Sequence, residues 1–334
     1  MNSEKNEWQI WDGRKQVGLG DKTNNIVWRR WMETIPPWRV LGKSEASQKG
    51  DFLGMGTGSE RRGKAFRGAG EELLAKINMA LWLRRPILVE GEPGIGKSSL
   101  AYSIAWCLGL GEVLRWEIGS RTQLKDGLYD YDAVGHLRSS QTSGEKKEIE
   151  DHIYLGPLGS ALVGYKHQGD LIPRVLLVDE IDKSDYDLPN DLLHILEEAR
   201  FEIREMKRVN DEVAEKRKTV VIRGHHDLEE INLVGSVVSA NVHPIVVMTS
   251  NGERNFPDAF RRRCVLIRLD RPKGEALREL VSEHFGGEKW EVPEWNEDQE
   301  DRPDHLLQKL FMEMQGMDRK VLGNMYESGD QGTG

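Results

Sequence analysis

A glycine-rich loop at residues 91–98 constrains the fold of this 334-residue chain more than any other feature. It has the form G-x-x-x-x-G-K-[ST] and lies between the apolar segment 86–90 and segment 99–105, whose apolar residues have helical spacing. Glycine allows the tight turn in which backbone N–H groups point at phosphate oxygens, and the N-terminus of the next helix favours the same negative charge. The sequence therefore predicts a strand, a phosphate-binding loop and a helix; a glycine-rich turn without a ligand is the alternative. The residues predicted to bind nucleotide here are Gly91, Glu92, Pro93, Gly94, Ile95, Gly96, Lys97, Ser98 and Ser99.

A second site of predicted nucleotide chemistry follows the apolar run 175–178. Asp179 and Glu180 come directly after that run, so their carboxylates emerge at the C-terminal end of a buried strand, where open α/β sheets bind ligands. Lys97 is predicted to reach the β- and γ-phosphates of ATP, while Ser98 and Asp179 are predicted to hold Mg²⁺. Glu180 is predicted to polarise the attacking water. A buried strand with a solvated acidic cap is the alternative.

A third apolar strand, 245–250, ends at Asn251 and is followed by three consecutive arginines, 261–263. Together with the loop and the acidic pair, this arrangement resembles the AAA+ superfamily. The resemblance implies that Asn251 senses the γ-phosphate and that one arginine reaches into the site of a neighbouring subunit. That position falls on Arg263, with Arg262 as the close contender. A solvated or phosphate-facing surface is the alternative for such a run.

The segment around the acidic pair is similar to the MoxR-like branch of AAA+ proteins. The similarity includes Gly156-Pro157-Leu158 before the acidic strand and the Leu-Leu and Glu-Glu pairs of the helix in segment 190–203 after it. The sequence departs from the family in having Asp182 where Asn is usual and in a long segment, 204–241, before the third strand. Residues 201–203 and 219–223 are predicted to pair as the hairpin that the family inserts there, with the charged residues 206–218 as its exposed tip. The resemblance covers about residues 66 to 325.

The resemblance implies an α/β fold: a P-loop core with a three-layer parallel sheet, followed by a small α-helical lid. The predicted domains are an N-terminal arm and flexible linker (1–65), the nucleotide-binding core with a helix-2 insert and the pre-sensor hairpin (66–270), the lid (271–327) and a tail (328–334). In the lid, Arg319 is the candidate second sensor of the nucleotide. In the insert, Tyr129 and Tyr131 either contact a substrate or pack the insert on the core.

The N-terminal arm combines tryptophan and arginine at residues 28–31 and 35–39. Such residues are favoured anchors at protein interfaces. The arm therefore either docks on a neighbouring subunit or partner, or packs back on its own core.

Charge and hydropathy narrow the functional classes. The net charge of −9 weakens the case for nonspecific nucleic-acid binding. The absence of a long apolar run and of an N-terminal apolar signal region predicts a cytoplasmic protein without a membrane segment. The two cysteines, Cys107 and Cys264, lack the spacing of a metal or disulfide framework.

The MoxR-like resemblance implies Mg²⁺-dependent ATP hydrolysis by a homo-oligomer, a hexameric ring, that remodels or activates a client protein in a chaperone-like way. Proteins with von Willebrand A domains are typical partners of that family. Two alternatives stay open: a nucleotide-dependent switch or scaffold with slow turnover, and a nucleic-acid motor.

Overall fold

The computed structural model describes residues 10, 31, 56–66, 70–141, 149–167, 170–209, 217–223, 228–234 and 236–270. The predicted lid with Arg319, the tail and most of the N-terminal arm lie outside these residues. Within them, no helix has both the length and the apolar character that a membrane crossing requires.

The described elements are helices and strands. In chain order they are α1 (Thr57–Ala65), α2 (Glu71–Leu83), β1 (Ile87–Glu90), α3 (Ser99–Leu108), β2 (Leu114–Glu117), α4 (Leu124–Leu128), β3 (Tyr129–Tyr131), α5 (Ala133–Gln141), β4 (Ile153–Leu155), α6 (Pro157–Val163), β5 (Tyr165–His167), β6 (Asp170–Ile172), β7 (Val175–Asp179), α7 (Leu188–Glu198), β8 (Arg200–Glu202), α8 (Arg204–Val209), β9 (Arg217–Arg223), β10 (Leu228–Val234), β11 (Val237–Ser239), β12 (Ile245–Ser250), α9 (Asp258–Arg261) and β13 (Val265–Arg268), with short 3₁₀ helices at Ile149–His152 and Ile181–Lys183.

The centre of the core is a parallel sheet in the order β13-β1-β12-β7-β2. Strands β7 and β12 are buried at every position, as expected for parallel strands that are covered on both faces. Because all five strands run the same way, the ends of β1, β7 and β12 lie along one edge of the sheet. The phosphate loop, the acidic pair and Asn251 follow those three ends.

Helices cover both faces of this sheet. Alternate residues along each strand point to opposite faces, so Leu176 and Val178 join one core cluster and Val175 and Leu177 join the other. The first cluster includes residues of α6 and α7, and the second includes residues of α2 and α3. The prediction of a three-layer parallel α/β core is confirmed.

The segment before the third strand differs from its prediction. It belongs to a second sheet in the order β3-β4-β9-β10-β11-β8. The predicted pairing of 201–203 with 219–223 is wrong: β9 pairs antiparallel with β10, and β8 pairs with β11. Pairing β9 with β10 closes a shorter loop than pairing it with β8, which costs less chain entropy. The predicted exposed tip, 206–218, begins inside helix α8.

Two residues of the N-terminal arm pack on the core. The Trp31 side chain is fully buried, its Nε1 donates a hydrogen bond of 2.8 Å to the Leu81 carbonyl, and the Arg84 guanidinium lies 3.7 Å from its ring centre. Ile10 is also buried in the cluster that includes α2. For these two residues, therefore, packing on the chain's own core is the observed alternative.

Candidate active site

The glycine-rich loop joins β1 to α3 and has a backbone shape suited to phosphate binding. Gly94 and Gly96 have φ angles of 80° and 89°, a region that residues with side chains rarely adopt. Residues 92–94 are exposed, whereas Ile95 and Lys97 are buried. The loop therefore presents its backbone to solvent and encloses the lysine.

Three oxygen acceptors hold the Lys97 amine. Its Nζ donates hydrogen bonds of 2.7 Å to the carbonyls of Gly91 and Glu92 and to Oδ1 of Asn251. Burial lowers the pKa of Lys97 below its ordinary value, and the carboxylates of the acidic turn 179–182 oppose that shift. Phosphate oxygens are stronger partners for this amine than neutral carbonyls, because they carry full negative charge.

Asp179, the last residue of β7, accepts hydrogen bonds on both carboxylate oxygens. Its Oδ1 accepts from Ser98 Oγ at 2.9 Å and from Thr249 Oγ1 at 2.6 Å. Its Oδ2 accepts from Arg115 Nη2 at 2.8 Å. Burial acts to raise the pKa of Asp179, but the hydrogen bonds and the Arg115 charge outweigh it and lower that pKa. Asp179 is therefore an anion at neutral pH.

Glu180 is held at both its backbone and its side chain. Its backbone is left-handed, with φ 60° and ψ 48°, which costs a residue other than glycine on the order of 1 kcal/mol. Its N–H donates to Thr249 Oγ1 at 2.9 Å. Its carboxylate accepts from Lys183 Nζ at 2.8 Å and from Asn251 Nδ2 at 3.4 Å. Because Asn251 also accepts from Lys97, one amide connects the loop lysine to the acidic pair.

Further hydrogen bonds tie the acidic turn to the segment that follows β12. Asp182 Oδ2 accepts from the backbone N–H groups of Asn251 at 2.9 Å and Glu253 at 3.2 Å. The Arg254 guanidinium donates to the Ser184 carbonyl at 2.8 Å. These contacts fix Asn251 relative to Glu180 through the backbone as well as through the side chains.

The structure thus connects five of the predicted site residues in one hydrogen-bonded network at the carboxyl edge of the parallel sheet. They are Lys97, Ser98, Asp179, Glu180 and Asn251.

Comparison with known families agrees with this geometry. The profile of the AAA domain, dynein-related subfamily, matches residues 86–264, which is more than half of the chain. The chain belongs to this AAA family. It therefore carries the nucleotide-binding core of an AAA+ ATPase.

Individual relatives of this AAA protein are more distant. The peroxisomal Lon protease homolog 2 of Pichia angusta is 34% identical over 118 residues, which are 35% of this chain and 10% of that protein. A candidate ATPase from Cytophaga hutchinsonii has 14% identity and a TM-score of 0.40, with 69% of this chain and 55% of that chain covered. The RuvB Holliday junction branch migration motor of Thermotoga maritima has 15% identity and a TM-score of 0.31, with 64% and 50% covered. The chain thus spans about half of each of these structures and a tenth of the Lon homolog.

The three consecutive arginines of this AAA protein have different neighbours. Arg261 Nη1 lies 3.8 Å from Glu90 Oε1, at the end of β1. Arg263 Nε lies 3.3 Å from Glu197 Oε1 on α7, and about half of the Arg263 side chain is exposed. Arg262 is exposed. Arg261 is thus held by the end of the strand that precedes the loop, while Arg262 and Arg263 stand at the surface. Arg319 lies outside the described residues.

Several residues of the network are absent from the sequence prediction. Arg115, Lys183 and Thr249 are not among the predicted site residues, and Asp182 enters the prediction only as a departure from the family. The sequence does mark Thr249 as a candidate site residue, because it is a polar residue near the end of an otherwise apolar strand. The sequence marks Arg115 less clearly, since it occupies an exposed position of β2, a strand in which buried and exposed residues alternate.

The donor set at the end of β7 fits Mg²⁺. Mg²⁺ prefers oxygen ligands and is usually bound through one or two carboxylates, with water and phosphate completing its shell. The Ser98 hydroxyl and the Asp179 carboxylate offer such oxygen atoms, and they lie in contact with each other. Asp179 is also ionised, as metal binding requires.

Proposed function

We propose that this AAA protein hydrolyses ATP in a Mg²⁺-dependent reaction. The observation that supports this most directly is the continuous contact from Lys97 through Asn251 to Glu180. A phosphate-binding cation, a polar sensor and a carboxylate base are the groups that ATP hydrolysis needs at one place.

Each residue of the site has a role in this proposal. Lys97 exchanges its loop carbonyls for the β- and γ-phosphates, and Ser98 with Asp179 holds Mg²⁺ directly or through water. When bound, Mg²⁺ supplies positive charge that offsets the charge of the phosphates. Glu180 orients the attacking water and accepts its proton, which requires the carboxylate to leave Lys183. Asn251, which contacts both Lys97 and Glu180, positions that water relative to the phosphate.

We further propose a MoxR-like role in a hexameric ring that remodels a client protein, in the cytoplasm and with a von Willebrand A domain protein as partner. Support comes from the position of the family-like segments: Gly156-Pro157-Leu158 starts α6, and segment 190–203 includes most of α7 and all of β8. Both helices belong to the same core cluster as alternate residues of β7, the strand that carries the acidic pair. A change at the nucleotide can therefore reach the surface through them.

One observation favours a second candidate function, a nucleotide-dependent switch with slow turnover. Glu180 is paired with Lys183 at 2.8 Å, so this carboxylate must give up an ion pair before it can act on water, which slows turnover. A nucleic-acid motor has less support, because the net charge of −9 disfavours binding to a polyanion.

The test compares two variants of the site. Lys97→Ala is expected to abolish ATP binding, because it removes the phosphate counter-charge. Glu180→Gln is expected to bind ATP normally and to lose hydrolysis by about 10²-fold or more, because it removes the general base. Titration with a fluorescent ATP analogue measures binding, and phosphate release measures turnover.

Lys207→Ala and Glu198→Gln serve as matched controls, since both residues are exposed and outside the network. Equal loss of binding in Lys97→Ala and Glu180→Gln would contradict the role of Glu180.

A separate experiment on the wild-type protein distinguishes the three functions. Turnover stimulated by client protein supports the remodelling function, and slow turnover with ATP-driven assembly supports the switch. Turnover stimulated by DNA or RNA supports the motor.

A further inference from the structure

The positively charged side chain of Arg115 contacts Asp179, the carboxylate that is expected to hold Mg²⁺. Arg115 Nη2 donates to Asp179 Oδ2 at 2.8 Å, and Arg115 Nη1 lies 3.0 Å from Glu117 Oε1. The Asp179 side chain is only 10% exposed, whereas that of Arg115 is 42% exposed. Arg115 therefore reaches from the surface to a nearly buried anion.

The strand register explains how one guanidinium contacts two carboxylates. In the parallel pair of β2 with β7, Glu117 lies beside Asp179. Arg115 is two residues before Glu117 and therefore on the same exposed face, while Leu114 and Trp116 point into the core. Arg115 thus lies where it can offset the repulsion between two neighbouring carboxylates at the end of the sheet.

The two oxygens of the Asp179 carboxylate have different kinds of hydrogen-bond partner. Among the described residues, its Oδ1 accepts hydrogen bonds from two hydroxyl groups, those of Ser98 and Thr249, and its Oδ2 accepts from the charged guanidinium. The hydroxyls orient the carboxylate without adding charge. Arg115 adds a full positive charge next to any cation that binds Asp179, and like charges at such distances repel.

We propose that Arg115 is a positioning residue that sets the Mg²⁺ concentration at which this protein retains nucleotide. The Arg115 guanidinium keeps the Asp179 carboxylate oriented and partly neutralises its charge. Mg²⁺ therefore binds only at a higher concentration than it would need if Arg115 were absent. This inference rests on the proposed binding of ATP with Mg²⁺.

The test measures Mg²⁺ dependence by binding and not by turnover. A fluorescent, non-hydrolysable ATP analogue is held at fixed concentration while Mg²⁺ is titrated from excess chelator, and the half-maximal Mg²⁺ concentration is read. Arg115→Gln is expected to lower that concentration on the order of tenfold, because it removes one charge near the metal. Arg115→Lys keeps the charge and is expected to stay close to wild type. Arg121→Gln, which removes an exposed arginine from the loop after β2, is the matched control and is expected to have no effect.

A second variant tests the same idea without touching Arg115. Glu117→Gln releases the guanidinium from one of its two carboxylates, so Asp179 is more fully neutralised and the half-maximal Mg²⁺ concentration is expected to rise. Glu117 is exposed, so this variant keeps the fold.

An unchanged or higher Mg²⁺ requirement in Arg115→Gln overturns the inference, provided that the variant unfolds at the same temperature as wild type. If Arg115→Gln is unfolded, an unchanged or lower requirement in Glu117→Gln overturns it instead. Failure of wild type to bind the analogue at any Mg²⁺ concentration overturns the proposed function itself, so the two failures are distinct.

Discussion

At the scale of single residues, Asp182 holds the backbone at Asn251, the residue proposed to sense the γ-phosphate. One of its oxygens accepts two backbone N–H groups, those of Asn251 and Glu253. Its other oxygen, Oδ1, is buried without a hydrogen-bond partner among the described residues. A buried oxygen that lacks a partner costs free energy, so the position gives up some stability. In return, the carboxylate opposes the burial-driven lowering of the Lys97 pKa more than the other nearby carboxylates do.

Asp182→Ala is expected to lower the free energy of unfolding by about 1–3 kcal/mol, because two backbone N–H groups lose their acceptor. We also expect a larger fall in kcat than in nucleotide affinity, since Asn251 is displaced while the loop is unchanged. Asp182→Asn keeps one acceptor oxygen and should lose less of both. Chemical denaturation and steady-state kinetics measure these effects, with the exposed Asp187→Asn as control. Equal losses in affinity and kcat would mean that Asp182 supports the loop rather than the sensor.

The site residues that could be predicted from the sequence are those that belong to short contiguous motifs. The glycine-rich loop and the acidic pair are each contiguous in sequence and flanked by the strand that positions them. The contacts of Arg115 with Asp179 and of Thr249 with Glu180 join residues that are 64 and 69 positions apart. Such contacts depend on which strands are neighbours in the sheet and on their register, and neither is fixed by the spacing of apolar residues in one strand.

At the scale of elements, Tyr129 joins the insert to the second sheet. The ring is buried and stacks on Phe201 with ring centres 6.3 Å apart, and the hydroxyl accepts from the Arg204 N–H at 3.0 Å. Of the two alternatives for this tyrosine, the structure places it in the packing role. Tyrosine suits buried and half-buried sites alike, and so the sequence alone left the choice open.

Tyr129→Phe is expected to cost about 1 kcal/mol of stability near pH 7, because the Arg204 N–H loses its acceptor. Burial raises the pKa of Tyr129 from 10.0 to about 12. A raised folded-state pKa means that stability present below pH 10 is lost as the pH rises toward 12. The variant should therefore lose less stability than wild type over that interval, as measured by denaturation at several pH values. The exposed Tyr186→Phe variant should show the same pH dependence of stability as wild type. If the stability of Tyr129→Phe fell with pH in parallel with that of wild type, the titration of Tyr129 would not be linked to stability.

At the scale of the whole molecule, the arginines after β12 are the residues through which the proposed assembly would complete the active site. Arg262 and Arg263 lie at the surface of the described core, and among the described residues the Arg263 side chain is ion-paired with the partly exposed Glu197. Exposed ion pairs of this kind contribute little, about 0–1 kcal/mol, so Arg263 can exchange this partner at small cost. A phosphate in a neighbouring subunit is a stronger partner.

We expect hydrolysis per subunit to rise with protein concentration, because an arginine supplied by a neighbour accelerates phosphoryl transfer on the order of 10³-fold or more. A Glu180→Gln subunit still offers its arginines, and an Arg262→Ala/Arg263→Ala subunit still offers its Glu180. Mixing the two inactive variants should therefore restore part of the activity. A mixture that stays inactive while size-exclusion chromatography shows mixed assemblies would assign the arginines to the surface alone.

Gly63 in α1 is packed so closely on α3 that a Cβ there would lie 2.7 Å from the carbonyl oxygen of Tyr102. Helices in such backbone contact cannot slide independently, because close-packed groups transmit displacement. α3 starts at the phosphate loop, and α1 lies within the predicted N-terminal segment 1–65, so a displacement of α3 would move α1 with it. A side chain at position 63 would force the two helices apart and would weaken this coupling.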